Sequence, residues 1–194
     1  MEFQTIFNEY RPKIFRYLVR LVGLGEAEDL SQEVFLKVNR GLAGFRAESK
    51  VSTWIFRIAT NAAVDLRRRK GLEPFLSVPF QEETDDDLAS ELPAATANGS
   101  LQKGIEHREM NDCIRGLLDG LPEKYKTILL LSEVEGFTGK EISEILGLSL
   151  ATVKIRLYRG KERLRETINK NCVISLDGRN EFVCDPKKSS GKSK

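Results

Sequence analysis

The sequence predicts an all-α protein: two small helical domains joined by an acidic flexible linker, with a short β-hairpin-like tail. Apolar residues recur at three- and four-residue steps through both halves of the chain, which is the period of an amphipathic helix. Between these halves, residues 71–105 hold seven Asp or Glu against one Lys or Arg, and a segment of this composition is typical of a linker. The predicted boundaries are 1–70 for the first domain, 71–104 for the linker, 105–170 for the second domain and 171–194 for the tail.

Three helices are predicted in the first domain. The first helix has an apolar side that runs from Phe7 to Leu21, and Gly23 ends it. Asp29, followed three residues later by Gln32, resembles a capping box and predicts the start of the second helix. The third helix is predicted to begin near Ser52.

The second domain carries the pattern of a helix-turn-helix. Thr138 and Glu141 have the spacing of a capping box that opens a helix. Gly147 suits the tight turn that follows, and Ser149 is the expected cap of the next helix. Two short helices joined in this way form a helix-turn-helix, although an ordinary helical hairpin has the same spacing.

The second of these helices has two distinct faces. A narrow apolar sector runs from Val153 through Gly160 to Ile168 and predicts the core side. Ile155 and Tyr158 point the opposite way, where apolar atoms can contact thymine methyl groups in a major groove. Cations stand on both flanks, as expected of a helix that meets phosphates on both groove walls. They are Lys154, Lys161 and Arg165 on one side and Arg156 and Arg163 on the other, with Arg159 beside the apolar pair.

The usual signs of an enzyme are absent from the sequence. It contains no phosphate-binding Walker loop, no GxSxG and no HExxH, so neither catalysis nor a cofactor is expected. No run of 18 apolar residues occurs, which argues against membrane insertion. The N-terminus does not resemble a signal peptide, so the protein is expected in the cytoplasm.

The tail reads CVISLDGRNEFVC over residues 172–184. β-Branched and aromatic residues on both sides of an Asp-Gly pair predict a β-hairpin. A three-residue loop at 177–179 would place Cys172 opposite Cys184, and a two-residue turn would offset them by one. The pair could form a redox-controlled disulfide, supply two thiolates to a metal, or remain reduced on a docking hairpin. No other metal-ligand spacing is present.

Three stretches, in this order, resemble bacterial RNA polymerase sigma factors of the extracytoplasmic-function group. They are AEDLSQEVFLKV, STWIFRIATNAAVDLRRRK and LPEKYKTILLLSEVEGFTGKEISEILGLSLATVKIRLYRGKERLR. The resemblance covers about residues 5–170 and implies a non-catalytic specificity subunit. Its first domain would bind the β′ coiled coil of core polymerase and the promoter −10 element. Its second would bind the β flap and read the −35 element, and an anti-sigma factor would control it.

The resemblance also implies roles for individual residues. Polymerase would contact Asp29, Gln32, Glu33, Lys37 and Asn39. The −10 element would contact Phe45, Arg46, Lys50, Arg57, Asn61, Arg67, Arg68 and Arg69, with Asn61 in the pocket of a flipped base. The −35 element would contact Lys154, Ile155, Arg156, Tyr158, Arg159, Lys161 and Arg163. Trp54 could stack on a base, but it shares the apolar face with Ile58 and could equally pack in the core.

A stand-alone helix-turn-helix repressor or activator is the main alternative. Such a protein needs only the second domain to bind DNA. The first domain, with its AEDLSQEVF stretch and the helix STWIFRIATN, would have no purpose in it. The presence of both domains therefore favours the sigma-factor interpretation.

Overall fold

A computed structural model describes residues 2–72, 116–176 and 182–186, and it is helical throughout except for two short strands. The all-α prediction is confirmed, and none of the helices in these ranges is long and apolar enough to cross a membrane. The first bundle contains α1 (Phe3–Val22), α2 (Leu24–Leu42) and α3 (Val51–Arg69). The second has a helical turn at 116–119, α4 (Glu123–Leu129), a π-helical segment (Leu130–Val134), α5 (Gly139–Leu146) and α6 (Leu150–Asn171). Most of the predicted linker lies outside the described residues.

The boundary between α1 and α2 differs from the prediction. Gly23 ends α1 with a φ of 86°, as expected, but α2 begins at the next residue, Leu24. The predicted helix start at Asp29 is therefore wrong, since Asp29 lies inside α2 and is exposed. One glycine inside a helix, Gly25, costs only about 1 kcal/mol, and Glu26 in the first turn favours the helix N-terminus. The helix consequently extends back to the turn.

The core of the first bundle contains one buried polar pair. The Tyr17 hydroxyl lies 2.9 Å from Oγ1 of Thr60, and both side chains are inaccessible to water. Thr60 donates its own proton to the carbonyl oxygen of Phe56 at 2.7 Å, so Tyr17 is the donor to Thr60. Burial raises the pKa of Tyr17 above its ordinary value. The pair joins α1 to α3 and satisfies two groups that would otherwise be costly to bury.

The helix-turn-helix caps are formed as predicted. Oγ1 of Thr138 accepts from the N–H of Glu141 at 3.3 Å, and the Glu141 carboxylate accepts from the N–H of Thr138 at 2.9 Å. Gly147 has a left-handed φ of 65°, and Oγ of Ser149 accepts from the N–H of Thr152 at 3.1 Å. These local bonds satisfy backbone donors that a helix start leaves without partners. The capping box fixes the start of α5, while Gly147 and the Ser149 cap define the turn between α5 and α6.

The segment after α4 was not predicted. After α4 the backbone continues as a π-helical turn over Leu130–Val134 instead of leaving the helical conformation. The N–H of Phe137 then donates to the carbonyl oxygen of Leu131 at 2.9 Å. This bond directs the Phe137 ring toward the first bundle.

The two bundles pack against each other. The Phe137 ring lies edge-on to Phe56 of α3, with centroids 4.9 Å apart. Helix α3 lies against α5, and the buried apolar residues of both bundles form one continuous cluster. The apolar core therefore extends across the boundary between the bundles.

Two strands follow α6. They are β1 (Cys172–Leu176) and β2 (Phe182–Pro186), paired antiparallel. Cys184 stands opposite Ile174, and Cys172 stands opposite Pro186. The expectation that the two cysteines would be opposite, or offset by one, is therefore wrong. Diagonal neighbours of this kind are about 7–8 Å apart, which exceeds the Cα separation of ordinary disulfides. The connecting loop, for which the Asp-Gly turn was expected, lies outside the described residues.

Candidate nucleic-acid interface

The outward face of α6 combines apolar and cationic side chains. Ile155 and Tyr158 are 37% and 40% exposed, and Lys154 beside them is also exposed. Arg159, one residue after Tyr158, is half-buried. Apolar atoms next to a guanidinium can read a thymine methyl group and a guanine edge in the same groove. The predicted reading face of this helix is thus presented to solvent.

The flanks of α6 carry cations whose interactions with other residues of the chain are weak. Nζ of Lys161 lies 3.0 Å from Oε1 of Glu133, and both side chains are nearly half exposed. The guanidinium of Arg163 lies 5.1 Å from the centre of the Tyr125 ring. Exposed ion pairs contribute at most about 1 kcal/mol, so a DNA phosphate can replace Glu133 at little cost.

Arg156 does not lie on an exposed flank, and that part of the prediction is wrong. Its residue surface is 8% exposed, and with Val153 and Gly160 it forms the buried side of α6. The spacing of these positions by three and four residues places Arg156 in the stripe that faces α4. Burial lowers the pKa of Arg156, although the nearby Tyr125 acts in the opposite direction. Its charge had indicated an exposed flank, but the long side chain of an arginine can lie inward over an apolar surface.

Gly160 determines how closely α6 approaches α4. A Cβ atom at this position would lie 3.3 Å from the side chain of Leu129 and 3.4 Å from Cβ of Tyr125. A contact of 3.3 Å is tighter than an ordinary van der Waals contact, so Leu129 would have to move. The missing side chain therefore lets α4 support α6 from behind while Ile155 and Tyr158 face outward.

The outward stripe of α3 is the second candidate surface. Arg57, Asn61, Asp65 and Arg68 are all exposed, as their spacing predicted. A guanidinium nitrogen of Arg68 lies 3.6 Å from Oδ1 of Asp65. The Asn61 amide can both donate and accept at a base edge, and the cations on each side can hold a backbone.

Two cations of the predicted −10 set are already engaged by the second bundle. Nζ of Lys50 lies 2.8 Å from Oε1 of Glu141, and a nitrogen of Arg67 lies 3.2 Å from Oε1 of Glu123. Arg69 is more exposed and lies 3.8 Å from Oε2 of Glu33 in α2. The sequence contained no signal for these pairs, because they depend on how the bundles meet.

The loop before α3 is supported by Trp54. The centre of its ring lies 5.0 Å from the ring centre of half-buried Phe45. A Cβ atom added at Gly41 would lie only 3.0 Å from the Trp54 ring. Trp54 is partly buried against the core, which favours packing over base stacking. Beside exposed Arg46, Ala47 has a φ of 56°, a left-handed conformation that costs a non-glycine residue about 1–2 kcal/mol. The loop before α3, which carries Phe45 and Arg46 of the predicted −10 set, is therefore locally strained.

The outward face of α2 bears the predicted polymerase contacts. Asp29, Gln32, Lys37 and Asn39 are exposed, and Glu33 is half-buried with its carboxylate 2.8 Å from Nζ of Lys37. That hydrogen bond lowers the pKa of Glu33. Sequence reasoning missed Leu36, which is 57% exposed among these polar side chains. Its position outside the Val34 and Val38 stripe was the available signal.

Comparison with known families matches both bundles. Residues 6–73 match the family described as Sigma-70 region 2, and residues 111–164 match Sigma-70, region 4. The chain is 32% identical over 168 residues to the ECF RNA polymerase sigma factor SigW of Bacillus subtilis (strain 168), covering 86% of this chain and 88% of the relative. It is 29% identical over 178 residues to the RNA polymerase sigma factor SigZ of the same organism, covering 91% and 93%.

Two solved structures have a similar fold. One is the sigma factor RpoE of Bartonella quintana in complex with the anti-sigma factor NepR, with a TM-score of 0.63, 20% identity, and coverage of 86% of this chain and 96% of that chain. The other is CnrH in complex with the cytosolic domain of CnrY, with a TM-score of 0.60, 17% identity, and coverage of 87% and 88%. At this identity the likeness concerns the fold alone.

Proposed function

The chain belongs to the extracytoplasmic-function group of RNA polymerase sigma factors, and we propose which promoter element each of its two bundles binds. Membership makes it a non-catalytic specificity subunit that directs promoter-specific initiation by RNA polymerase. In this proposal residues 1–70 bind polymerase and the −10 element, 105–170 read the −35 element, and 71–104 connect them. The protein acts in the cytoplasm, where it meets core polymerase.

The assignment of the −35 element to α6 rests on one observation. Ile155 and Tyr158 are exposed on the helix-turn-helix, between cations on both flanks. In the proposal Lys154 and Lys161 contact phosphates, Arg159 contacts a base edge, and the apolar pair contacts thymine methyl groups. Arg163 contributes from the other flank, while Arg156 supports the helix from inside.

The −10 element is assigned to the outward stripe of α3 and the loop before it. Asn61 hydrogen-bonds the edge of a flipped base, whose unstacking costs a few kcal/mol. Arg57 and Arg68 lie near Asn61 on the same exposed stripe and hold the strand by its phosphates. The remaining members of the set are Phe45, Arg46, Lys50, Arg67 and Arg69.

Core polymerase is proposed to bind the outward face of α2. The polar residues there surround exposed Leu36, and an apolar side chain within a polar rim is the usual anatomy of a protein interface. This face would meet the β′ coiled coil, and the second bundle would meet the β flap. The structurally similar sigma factor RpoE is bound to the anti-sigma factor NepR, and we propose that an anti-sigma factor likewise controls this chain.

Transcription with core polymerase in vitro tests the proposal. The purified chain is added to core enzyme and a genomic DNA library, and start sites are mapped. Two upstream elements at a constant spacing are expected before the starts. If the protein binds DNA and represses but never supports initiation, the proposal is wrong and a stand-alone repressor is the better description.

Two variants separate the proposed surfaces. Asn61→Ala is expected to slow promoter opening while leaving affinity for a −35 duplex unchanged, because Asn61 contacts only the melted strand. Tyr158→Ala is expected to weaken binding to the −35 duplex with little effect on binding to a single −10 strand. Equal losses in both assays for either variant would contradict the division of roles.

A further inference from the structure

The hairpin that follows α6 has one apolar face. Alternate residues of a strand lie on the same face, so the register of β1 and β2 places three cross-strand pairs on this side of the ribbon. The pairs are Cys172–Pro186, Ile174–Cys184 and Leu176–Phe182. The opposite face includes the polar residues Ser175 and Asp185. Both cysteines of the tail therefore share the apolar face, at diagonal positions.

The spacing of the two cysteines favours a shared metal ion over a disulfide. Diagonal positions of an antiparallel pair are about 7–8 Å apart, beyond the upper limit of about 6.8 Å for the Cα atoms of a disulfide. Two sulfurs bound to the same tetrahedral Zn²⁺ are about 3.8 Å apart, nearly twice the S–S bond length of about 2.05 Å. A zinc ion can therefore join cysteines whose backbones lie farther apart than a disulfide permits.

The chemistry of the ligands also favours zinc. Soft thiolates in a tetrahedral set are typical of Zn²⁺. Basic residues flank the hairpin in the sequence, with Lys170 two residues before Cys172 and Lys187 and Lys188 just after Cys184. Cations near a thiol favour its thiolate form, and they offset the charge of −2 that four thiolates leave around one Zn²⁺.

The apolar face of one chain supplies half of such a site. Structural zinc sites have four protein ligands, and of the six residues on this face the two cysteines are those with a metal-binding atom. A second copy related by a twofold axis presents the same pair again. Two hairpins that meet face to face therefore complete a set of four thiolates and cover the apolar residues of both.

Apolar contact alone would not hold two hairpins together. Six residues a side is far fewer than the about 20–30 residues a side of a standard stable interface. A hairpin of two strands is also marginally stable by itself. Because zinc binding supplies folding free energy that a small apolar core lacks, the association is expected to depend on the metal.

We propose that Cys172 and Cys184 of two copies of the chain bind one Zn²⁺ through four thiolates and join the chains at their hairpins. Binding releases the four thiol protons, since the ligands must be thiolates. Because β1 follows α6 directly, the metal joins two copies beside the C-terminal ends of their α6 helices. The inference goes beyond the proposed function and uses none of its promoter or polymerase contacts.

The test uses the full chain, reduced and freed of metal, to which Zn²⁺ is added. Size exclusion with light scattering measures the mass, and metal analysis measures the zinc bound per chain. Cys172→Ser and Cys184→Ser each remove one ligand from every copy. Cys113→Ser is the matched control, since it removes the third cysteine, which lies outside the tail. Co²⁺ used in place of Zn²⁺ reports thiolate ligands through its visible absorption.

We expect one Zn²⁺ per two chains and a doubled mass, both reversed by a chelator. Either tail variant should remain monomeric, with zinc binding weakened by more than about 100-fold. That loss exceeds the roughly 10–100-fold effect of changing a residue that only supports a ligand. The control should dimerise like the wild type. Helical circular dichroism should be the same in all four proteins, because the changes lie outside the helices that form the core.

Several results would overturn the inference. One Zn²⁺ per monomer would mean that a single chain supplies all of the ligands. A dimer that forms without metal, or that persists in both tail variants, would place the contact elsewhere. An equal loss in Cys113→Ser, or no zinc uptake at a small excess of metal over protein, would contradict the assigned ligands.

Failure of the proposed function has a different signature. If the chain supports initiation with core polymerase but binds no zinc, only the metal site is wrong. If it forms the zinc dimer but never supports initiation, the metal site stands and the promoter roles fall.

Discussion

At the scale of single residues, the surface of α6 is distinguished by what accompanies its charges. Isolated exposed apolar residues are common on proteins. Ile155 and Tyr158, however, lie together beside Arg159 and exposed Lys154. This combination is typical of a surface that contacts base edges and the surrounding phosphates, rather than of a face that is only solvated.

Arg159→Ala is expected to weaken binding to the preferred −35 duplex by about 1–3 kcal/mol and to relax specificity at one position. The reason is the loss of a bidentate contact to a guanine edge. Competition binding with duplexes changed one base at a time measures both effects. Arg165→Ala is the control, because Arg165 is 73% exposed and pairs with Glu162. Equal loss on every duplex would mean that Arg159 touches only phosphate.

The Glu141 carboxylate predicts a dependence of stability on pH. Burial alone would raise its pKa, but hydrogen bonds from Lys50 and Thr138 outweigh burial and lower the pKa below the ordinary value of 4.5. Because the pKa of Glu141 is lower in the folded than in the unfolded state, its ionised carboxylate stabilises the fold at pH values above the unfolded-state pKa. This contribution is lost as the pH falls through the folded-state pKa. Glu141→Gln should therefore lower the free energy of unfolding at neutral pH.

Urea titrations of both proteins at a series of pH values measure this difference. The two free energies of unfolding should converge below pH 4.5, where the wild-type carboxylate becomes protonated. Glu144→Gln, on the exposed side of the same helix, should show no comparable convergence. A gap between wild type and Glu141→Gln that stays constant with pH would contradict the assignment.

At the scale of elements, the turn between α5 and α6 depends on one backbone conformation. Gly147 adopts a left-handed φ of 65°, and a Cβ atom there would meet nothing within 4 Å. Substitution would therefore cost conformational energy without a clash. The bond from the N–H of Leu148 to the carbonyl oxygen of Ser143 at 3.2 Å and the Ser149 cap leave the chain little freedom to relax around this turn.

Gly147→Ala is expected to destabilise the chain by about 1–2 kcal/mol, the cost of a left-handed conformation for a residue with a Cβ atom. Gly25→Ala is the matched control. It lies inside α2 with open space around it, so the better helix former should stabilise by up to about 1 kcal/mol. Chemical denaturation measures both. A loss of stability in both variants, or in neither, would show that φ at position 147 does not decide the outcome.

At the scale of the whole molecule, one apolar cluster runs through both bundles. The Phe56–Phe137 contact bridges them in the second turn of α3. A shared core couples the unfolding of its parts, so we expect the two bundles to unfold in one cooperative transition as a single small domain does. The sole tryptophan, Trp54, lies in the first bundle, so its fluorescence reports that bundle separately.

Phe137→Ala is expected to uncouple the bundles. Removing a buried phenylalanine costs about 3–5 kcal/mol, and in this position the loss falls on the contact between the bundles. Wild-type transitions followed by Trp54 fluorescence and by helical circular dichroism should coincide, whereas those of the variant should separate. In Tyr17→Phe, which loses only a hydrogen bond within the first bundle, they should still coincide. Coincident transitions in Phe137→Ala would show that the bundles do not depend on this ring.

The sequence by itself determined the helical class, the helix-turn-helix with its caps at Thr138 and Ser149, and the outward position of Ile155. These features follow from interactions within a few residues, which the order of side chains specifies directly. The family resemblance was available at the same level, because three local motifs carry it. It was confirmed by relatives that match nearly the whole chain.

Only the tertiary structure decided which charged groups remain available. Arg156 is buried, and Lys50 and Arg67 are paired with carboxylates of the other bundle. The register that separates Cys172 from Cys184 is likewise a property of paired strands. The two ion pairs and the strand register depend on partners distant in the chain, and periodicity within one helix or strand contains no information about such a partner.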